Sequence, residues 1–341
     1  MNDRVLWEIF DKYNYLVHYI RYRKWQFIKK TTGKGHWAMP NYVAGSRLLS
    51  IQATNEMIGG AILEQRPFWA GRFGGTEMNM IYQTLLSRMH PEKDAREDAV
   101  KKLCMLSGFF PEDVNLGERF VDMMLRDCGQ IDLLAVWRRY MEDYIYIKYQ
   151  PDTKLTQLPR LEPWNMHNQL HSRIKPWSAA LKGKKVLVIH PFEDSIKKQY
   201  EKNRTHIFER IYDADDILPE FELITLKAVQ TLAGEHDSRF ATWFEALNWM
   251  IEQCKKIEFD VAIIGCGAYG FPLAAELKRM GKTAIHLGGA TQILFGIIGV
   301  RWENEYQYQD FYRHVVNQYW VRPLDSEKIT HAGAVESACY W

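Results

Sequence analysis

The sequence predicts an α/β protein with a doubly wound, mainly parallel, Rossmann-like sheet and a helical N-terminal region. Three observations support this fold class. Short apolar runs alternate with amphipathic helical segments from about residue 183 onwards. Glycine-rich turns directly follow two of those runs. Apolar residues recur at helical spacing over residues 3–30.

Composition excludes several classes of protein. Apolar residues make up 47% and charged residues 25% of the 341 residues, as in ordinary globular proteins. The net charge of +2 provides no general attraction to nucleic acid, and we expect none as a partner. Five scattered cysteines argue against a disulfide framework. With no signal-peptide pattern and no apolar run of membrane-spanning length, we expect a cytoplasmic protein.

The N-terminal helix changes character along its length. Residues 18–30 contain basic and aromatic residues but no acidic residue. Such a helix can lie on an anionic membrane surface, which predicts peripheral contact with the inner face of the membrane. It can equally pack on its own domain and leave a basic edge in water. The sequence leaves both interpretations open.

The middle of the chain is predicted to combine one strand with several helices. Residues 45–64 are expected to be helical, Pro67–Phe73 to form a strand, and Glu77–Met89 to form a helix. We predict a helical N-terminal region over 1–65, an α/β domain over 66–300 with a helical insertion at about 91–160, and a tail over 301–341 that packs on the domain. Within the insertion, residues 94–107 and 116–148 carry the helical pattern.

The second half carries the alternating pattern. The predicted strands are Lys184–His190, Phe221–Leu226, Asp260–Ile264 and Thr283–Leu287. The predicted helices are Asp194–Asn203, Thr205–Tyr212, Phe240–Lys256, residues 271–280 and a helix from Ala290.

Two glycine turns of this region are candidate phosphate sites. The first has the pattern G-x-G-x-x-G between a strand and a helix, where backbone N–H groups can approach a diphosphate. The second follows the next strand, and His286 beside it could donate to a phosphate. The candidate diphosphate-binding residues are Gly265, Gly267, Gly270, Gly288, Gly289 and Thr291. Because the strand after the first turn ends in Ile285-His286-Leu287-Gly288, with no acidic residue for the ribose hydroxyls, we expect no NAD.

A third glycine turn carries charged residues. Arg72 could bind a phosphate or carboxylate in bidentate fashion, and Glu77 could act as a general base or metal ligand. Gly74, Gly75 and Thr76 lie between them as candidate substrate-binding residues. The alternative is an Arg–Glu ion pair that closes the turn.

This segment resembles the R-F-G-D-G-E motif of bacterial glycosyltransferases with the GT-D fold. Arg72, Phe73, Gly74 and Glu77 match, whereas Gly75 replaces the Asp and Thr76 the second Gly. The resemblance extends over roughly residues 66–90 and 184–300. It implies an Asp-x-Glu element for metal and sugar-nucleotide handling, which the Gly75 replacement leaves without its Asp.

The function expected from this resemblance is glycosyl transfer from a nucleotide diphosphate sugar in bacterial surface-polysaccharide biosynthesis. The acceptor would be a saccharide or lipid-linked saccharide. Mn²⁺ or Mg²⁺ is the implied cofactor, with Glu77, Asp213 and Asp215 as candidate ligands, the last two in D-x-D spacing. Two alternatives stay open: a catalytically inactive nucleotide- or sugar-binding partner in a polysaccharide assembly complex, and an NAD-dependent nucleotide-sugar enzyme.

Overall fold

A seven-stranded parallel sheet forms the centre of the molecule. The computed structural model describes residues 2–32, 41–137, 140–150, 152–164, 174–211, 214–235, 237–304, 309–335 and 338–341. The strands of the sheet lie in the order β5-β4-β3-β9-β8-β6-β7, after a separate antiparallel hairpin of β1 and β2. The strands are β1 Tyr42–Val43, β2 Ser46–Arg47, β3 Phe68–Gly71, β4 Leu133–Val136, β5 Lys154–Gln157, β6 Lys185–His190, β7 Glu222–Lys227, β8 Val261–Ile264 and β9 Thr283–His286.

Helices cover both faces of this sheet, which confirms the predicted doubly wound α/β class. Successive residues of a strand point to opposite faces, and so every strand of the sheet except the edge strand β5 contributes to two separate hydrophobic cores. The described helices are α1 Asp3–Thr32, α2 Ile51–Glu64, α3 Gly75–Met89, α4 Arg96–Ser107, α5 Val114–Cys128, α6 Glu142–Tyr149, α7 Leu158–Leu161, α8 Glu193–Ile207, α9 Ala214–Ile217, α10 Trp243–Lys255, α11 Gly270–Arg279, α12 Thr291–Leu294, α13 Val300–Asn304 and α14 Gln309–Val315.

The strand register brings three glycine turns to one edge. Ala70 of β3 lies opposite Ile285 of β9, and His286 of β9 lies opposite Ile264 of β8. Because these strands are parallel and end nearly level, the segments that follow them emerge side by side. This carboxyl edge is the usual place for ligands in doubly wound sheets.

The segment predicted as a helical insertion differs from the prediction. It contains helices, but also β4 and β5, which extend the sheet beyond β3. β4 consists of four buried apolar residues, too few to show a strand period between two helical patterns. β5 has one apolar residue among its four and is only half-buried, because it is the edge strand.

Other elements depart from the predictions in smaller ways. Residues 45–50 do not continue a helix, because the β1–β2 hairpin ends at Arg47 and Ser50 caps α2 through a hydrogen bond from the Ala53 amide. The two helices expected over 194–212 form the single helix α8 followed by turns. Among the described residues no helix is long and apolar enough to cross a membrane.

The C-terminal segment lies against the carboxyl edge. The amide of Ile298 donates to the Val321 carbonyl at 2.9 Å, and the amide of Val300 donates to the Trp341 carbonyl at 3.2 Å. The ring of Tyr340 lies so close to Gly289 that a Cβ there would be 2.4 Å from its Cε1 atom. The tail therefore forms one wall beside the turn after β9.

Candidate active site

The turns after β3, β8 and β9 pack directly on one another. A Cβ at Gly265 would lie 2.5 Å from the carbonyl oxygen of Gly288, and one at Gly288 would lie 2.7 Å from the Nη2 atom of Arg72. Side chains at these two positions would push the turns apart. The glycines thus allow the three predicted turns to form one continuous surface.

Arg72 is the cation of this surface. Its guanidinium lies 5.1 Å above the ring of Trp137, the residue that follows β4. Both side chains reach the Phe73 carbonyl, Arg72 Nη1 at 3.5 Å and Trp137 Nε1 at 3.1 Å. No ion pair joins Arg72 to a carboxylate of the described residues, so the Arg–Glu pair considered from the sequence does not form. The guanidinium is half-buried and keeps donors for an anionic ligand.

Glu77 is a buried carboxylate in the first turn of α3. Its side chain folds back over Gly74, the residue that precedes the helix, where a Cβ would lie 1.8 Å from its Oε2 atom. The Thr76 hydroxyl donates to that same oxygen at 3.0 Å. Thr76 also contacts the Ser107 hydroxyl at the end of α4. The positive end of the helix dipole favours a carboxylate at this place.

Gly75 and Thr76 have separate local roles. Gly75 is the first residue of α3, half-buried beside the Gly74 cap. Thr76 links Glu77 to Ser107 through its hydroxyl. The position where the resembling motif has an aspartate therefore provides no carboxylate, and Glu77 is the acidic residue of this turn.

His286 is a buried neutral imidazole rather than an exposed donor. The His286 side chain is 5% exposed and fits between two glycines. A Cβ added at Gly71 would lie 3.0 Å from the His286 Cβ, and a Cβ added at Gly270 would lie 2.4 Å from the His286 Nε2 atom. Burial, together with the smaller effect of the nearby Arg72 charge, lowers the pKa of His286 to about 3. At neutral pH it therefore adds no positive charge for a phosphate.

The remaining predicted diphosphate-binding residues are mostly occupied by packing. Thr291 is fully buried, and its hydroxyl donates to the Ile264 carbonyl at 3.1 Å. Gly267 is exposed at φ +58°, but a Cβ there would lie 2.7 Å from the Ser107 carbonyl oxygen. Gly289 is half-buried beside Tyr340. Of the six, Gly267 and Gly289 keep the most exposed backbone.

The tail adds residues that sequence patterns did not indicate. Arg301 lies over the Tyr340 ring with its Cζ atom 4.8 Å from the ring centroid, and burial raises the pKa of Tyr340. The Gln292 side-chain amide donates to the Tyr340 carbonyl at 3.1 Å. Tyr340 lies in a tail whose sequence shows no helical or strand period, and only contacts across the fold place it beside Gly289.

The tail also covers another part of this edge, at the start of α8. The strand order reverses between β6 and β8, where a doubly wound sheet usually binds its ligand. There the Glu327 carboxylate accepts hydrogen bonds from the amides of Asp194 and Ser195 at 2.8 and 3.3 Å and from the Ser195 hydroxyl. The ring of Trp341 packs on Phe192 with centroids 5.8 Å apart. An internal carboxylate therefore takes the anion position at the start of α8.

The two candidate metal ligands that the structure describes, Glu77 and Asp215, are not brought together. Asp215 is exposed in α9, which precedes β7 and so lies at the amino edge, away from Arg72 and Glu77. The neighbouring Asp216 carbonyl accepts from Ser178, before β6, which confirms that position. Asp213 lies outside the described residues. No group of three His, Cys, Asp or Glu side chains that could hold a metal is found within the described ranges.

Comparison with known proteins gives a distant structural similarity. One solved structure is described with the words "The highly conserved domain of unknown function 1792 has a distinct glycosyltransferase fold"; its TM-score is 0.39 at 11% identity, over 72% of this chain and 79% of that chain. A selenomethionine-substituted structure of the same domain gives 0.38 and 10%, over 72% and 79%. No protein-family model and no curated protein matches the sequence. A similarity of this size assigns no activity.

Proposed function

We propose that this protein is a glycosyltransferase that uses a nucleotide diphosphate sugar. The acceptor would be a saccharide or lipid-linked saccharide in bacterial surface-polysaccharide assembly, on the cytoplasmic side of the membrane. The observation that carries the proposal is that one turn at the carboxyl edge holds both Arg72 and Glu77, which form no ion pair with each other. Arg72 has no internal carboxylate partner among the described residues, and Glu77 is held by a hydroxyl rather than by a cation.

In this proposal Arg72 binds the diphosphate. A guanidinium can form two parallel hydrogen bonds to phosphate oxygens. Stacking on Trp137 restricts the side chain before the donor arrives, which lowers the entropy lost on binding. As the sugar–phosphate bond breaks, charge accumulates on the leaving diphosphate, and a fixed cation there stabilises the transition state.

Glu77 is the proposed general base. It would accept the proton of the acceptor hydroxyl while that oxygen forms the new bond to the sugar and the diphosphate leaves. Its contact with Thr76 fixes the carboxylate over Gly74 and leaves the other oxygen for the incoming proton. Ser107 supports this geometry through Thr76.

A resident metal ion does not fit the described residues by itself. Glu77 is one carboxylate, and the hydroxyls of Thr76 and Ser107 are weak ligands. Mg²⁺ or Mn²⁺ is usually held by one or two carboxylates together with substrate phosphates, so Glu77 could hold such an ion only with the donor diphosphate as a further ligand. Charge neutralisation on the leaving diphosphate is therefore assigned to Arg72.

Each alternative function has a distinguishing feature. Gly75 in place of an aspartate favours a nucleotide- or sugar-binding partner without activity, because the turn then lacks a second carboxylate. An NAD-dependent enzyme would need an acidic residue at the end of β9, where the chain has His286, Leu287 and Gly288. The inactive partner would differ from the transferase in having no sugar turnover, and the NAD-dependent enzyme would differ in the ligand that it binds.

The first experiment is thermal unfolding with UDP, GDP, CMP, NAD and their sugar conjugates, each with and without manganese. A ligand at a hundredfold excess over its dissociation constant adds about 2.7 kcal/mol of stability. We expect a shift with one nucleotide diphosphate and none with NAD, and a much smaller shift in Arg72→Lys. The matched control is Arg66→Lys, which removes another arginine stacked on an aromatic ring, 4.9 Å above Phe68 at the amino end of β3.

Turnover decides between the transferase and the inactive partner. Glu77→Gln should keep the nucleotide-dependent shift and lose sugar transfer. Binding without turnover in the unmodified protein would favour the inactive partner. A shift with NAD alone would replace the proposal by a nicotinamide-dependent enzyme, and unchanged turnover in Glu77→Gln would remove Glu77 as the base.

A further inference from the structure

One side of α1 carries a stripe of exposed apolar side chains. Val5, Ile9, Leu16, Ile20 and Phe27 follow one another at intervals of four and seven residues and so lie on one side of the helix. They are between 49% and 69% exposed. Isolated exposed apolar residues are ordinary, but a continuous stripe on one helix is typical of an interaction surface.

The opposite side of α1 fixes the helix to the body of the protein. Trp7 is 1% exposed and packs on Tyr82 and Tyr144 with ring centroids 5.5 and 5.0 Å away. The Asn14 side chain donates to Asp143 at 2.9 Å. These anchors lie in the first half of the helix, whereas the described side chains from residue 18 to 31 are exposed or half-buried.

The net positive charge of α1 is concentrated in that exposed second half. The sequence has no acidic residue between Lys12 and Thr32, and it has basic residues at positions 21, 23, 24, 29 and 30. Arg23, Lys24 and Lys30 are exposed. The second half of the stripe, around Ile20 and Phe27, is therefore bordered by exposed basic residues.

We infer that this face of α1 binds an anionic membrane surface, with the helix lying in the plane of the headgroups. Apolar and aromatic side chains would enter the boundary of the acyl chains while basic residues contact lipid phosphates. This inference stands on the helix alone and does not depend on the proposed function.

The charge pattern favours a lipid surface over a second copy of the chain. Arg23 interrupts the stripe between Ile20 and Phe27. Parallel pairing of two such helices through the stripe would bury Arg23 against the same basic segment of the copy, which offers no acidic partner, and this is costly. At a membrane, the long arginine side chain can reach the headgroup phosphates while its methylenes remain in the apolar layer.

Sedimentation with vesicles tests this inference on the full chain. We expect binding to vesicles of phosphatidylcholine with phosphatidylglycerol, weak binding to phosphatidylcholine alone, and loss of binding at high salt. Since each basic residue near an anionic surface strengthens binding about fivefold, the double variant Arg23→Gln/Lys24→Gln should bind about 30-fold more weakly. Phe27→Ser should also weaken binding.

Matched controls separate the surface from general effects of charge or hydrophobicity. Lys101→Gln/Lys102→Gln removes two exposed lysines of α4, and Leu63→Ser removes a leucine that is 65% exposed on α2. Neither control should change vesicle binding. Equal binding to both kinds of vesicle, or no binding to either, would overturn the inference. A dimer in light scattering that Phe27→Ser dissociates, without vesicle binding, would identify a second copy as the occupant.

Discussion

Gly74→Ala should displace the Glu77 carboxylate without disturbing the backbone that holds it. Gly74 has φ −77° and ψ 161°, a conformation that alanine adopts freely. Its new Cβ would lie 1.8 Å from Glu77 Oε2, while real Cβ atoms stay beyond 3.0 Å. The carboxylate must therefore move by about 1.2 Å, the difference between these distances.

The stability change of this variant should be small. Alanine is a poorer residue than glycine before a helix by about 0.5–1 kcal/mol, and the hydrogen bond from Thr76 to Glu77 contributes about another 1 kcal/mol. The lower entropy of the unfolded alanine chain returns about 0.4–1 kcal/mol. We expect a net loss of about 1 kcal/mol, which leaves the protein folded.

The effect on sugar transfer should be much larger. Loss of a positioned general base lowers turnover by about 10²–10⁴-fold. Initial rates with the donor found by thermal unfolding measure this, and the unfolding midpoint of the same preparation reports folding. Gly60→Ala is the control, since a Cβ at this α2 position meets nothing within 4 Å and should leave turnover unchanged. Full turnover in Gly74→Ala would show that sugar transfer does not depend on the placement of the Glu77 carboxylate over Gly74.

Three further predictions concern the surroundings of the site. Burial lowers the pKa of His190 and of His286 to about 3, below the unfolded value of 6.5. The contribution of each neutral imidazole to the free energy of unfolding is therefore fully present above pH 6.5 and is lost as the pH falls towards 3. Urea unfolding should show about 2 kcal/mol less stability per histidine at pH 5 than at pH 7, and His286→Asn should remove its share; an unchanged pH dependence would contradict this. Gly288→Ala should weaken binding of the nucleotide diphosphate at least about tenfold by calorimetry, because its Cβ would lie 2.7 Å from the Arg72 guanidinium; unaltered affinity would exclude contact at that place. Glu327→Gln should lower stability by about 1 kcal/mol in thermal unfolding and leave turnover intact, since it removes a charge from the start of α8; lost turnover would assign Glu327 to the active surface.

The elements that sequence patterns could predict are those with a strong local signal. Residues 3–30 show the helical period that appears as α1, and the strands β3, β6, β8 and β9 are apolar runs bounded by turns. Their parallel alternation with helices predicts the class of sheet. β4 was missed because its four apolar residues stand between two helical patterns. Trp137, which follows β4, was missed with it.

The roles of individual glycines depended on contacts between distant segments. Gly265 and Gly270 match a phosphate-binding pattern, but in the structure each allows another segment to approach: the Gly288 carbonyl in one case, His286 in the other. Spacing along the chain cannot show such contacts. Arg72 and Glu77 were predicted as a pair of charged residues on one turn, and only their surroundings show that each is held apart from the other.

Strand order and the partners of the charged groups point to different parts of the carboxyl edge. The crevice between β6 and β8 is the one that strand order alone would select, because the chain leaves those strands in opposite directions. Its helix N-terminus is satisfied by Glu327, so a phosphate would have to displace an internal carboxylate held by two amides and a hydroxyl. The turns after β3 and β9 have the opposite character, since they carry the Arg72 guanidinium, which no described carboxylate neutralises. Under the proposed function, an anionic donor would therefore gain more at Arg72, on the turn that also holds Glu77, than at the start of α8, where Glu327 of the tail already takes the place of an anion.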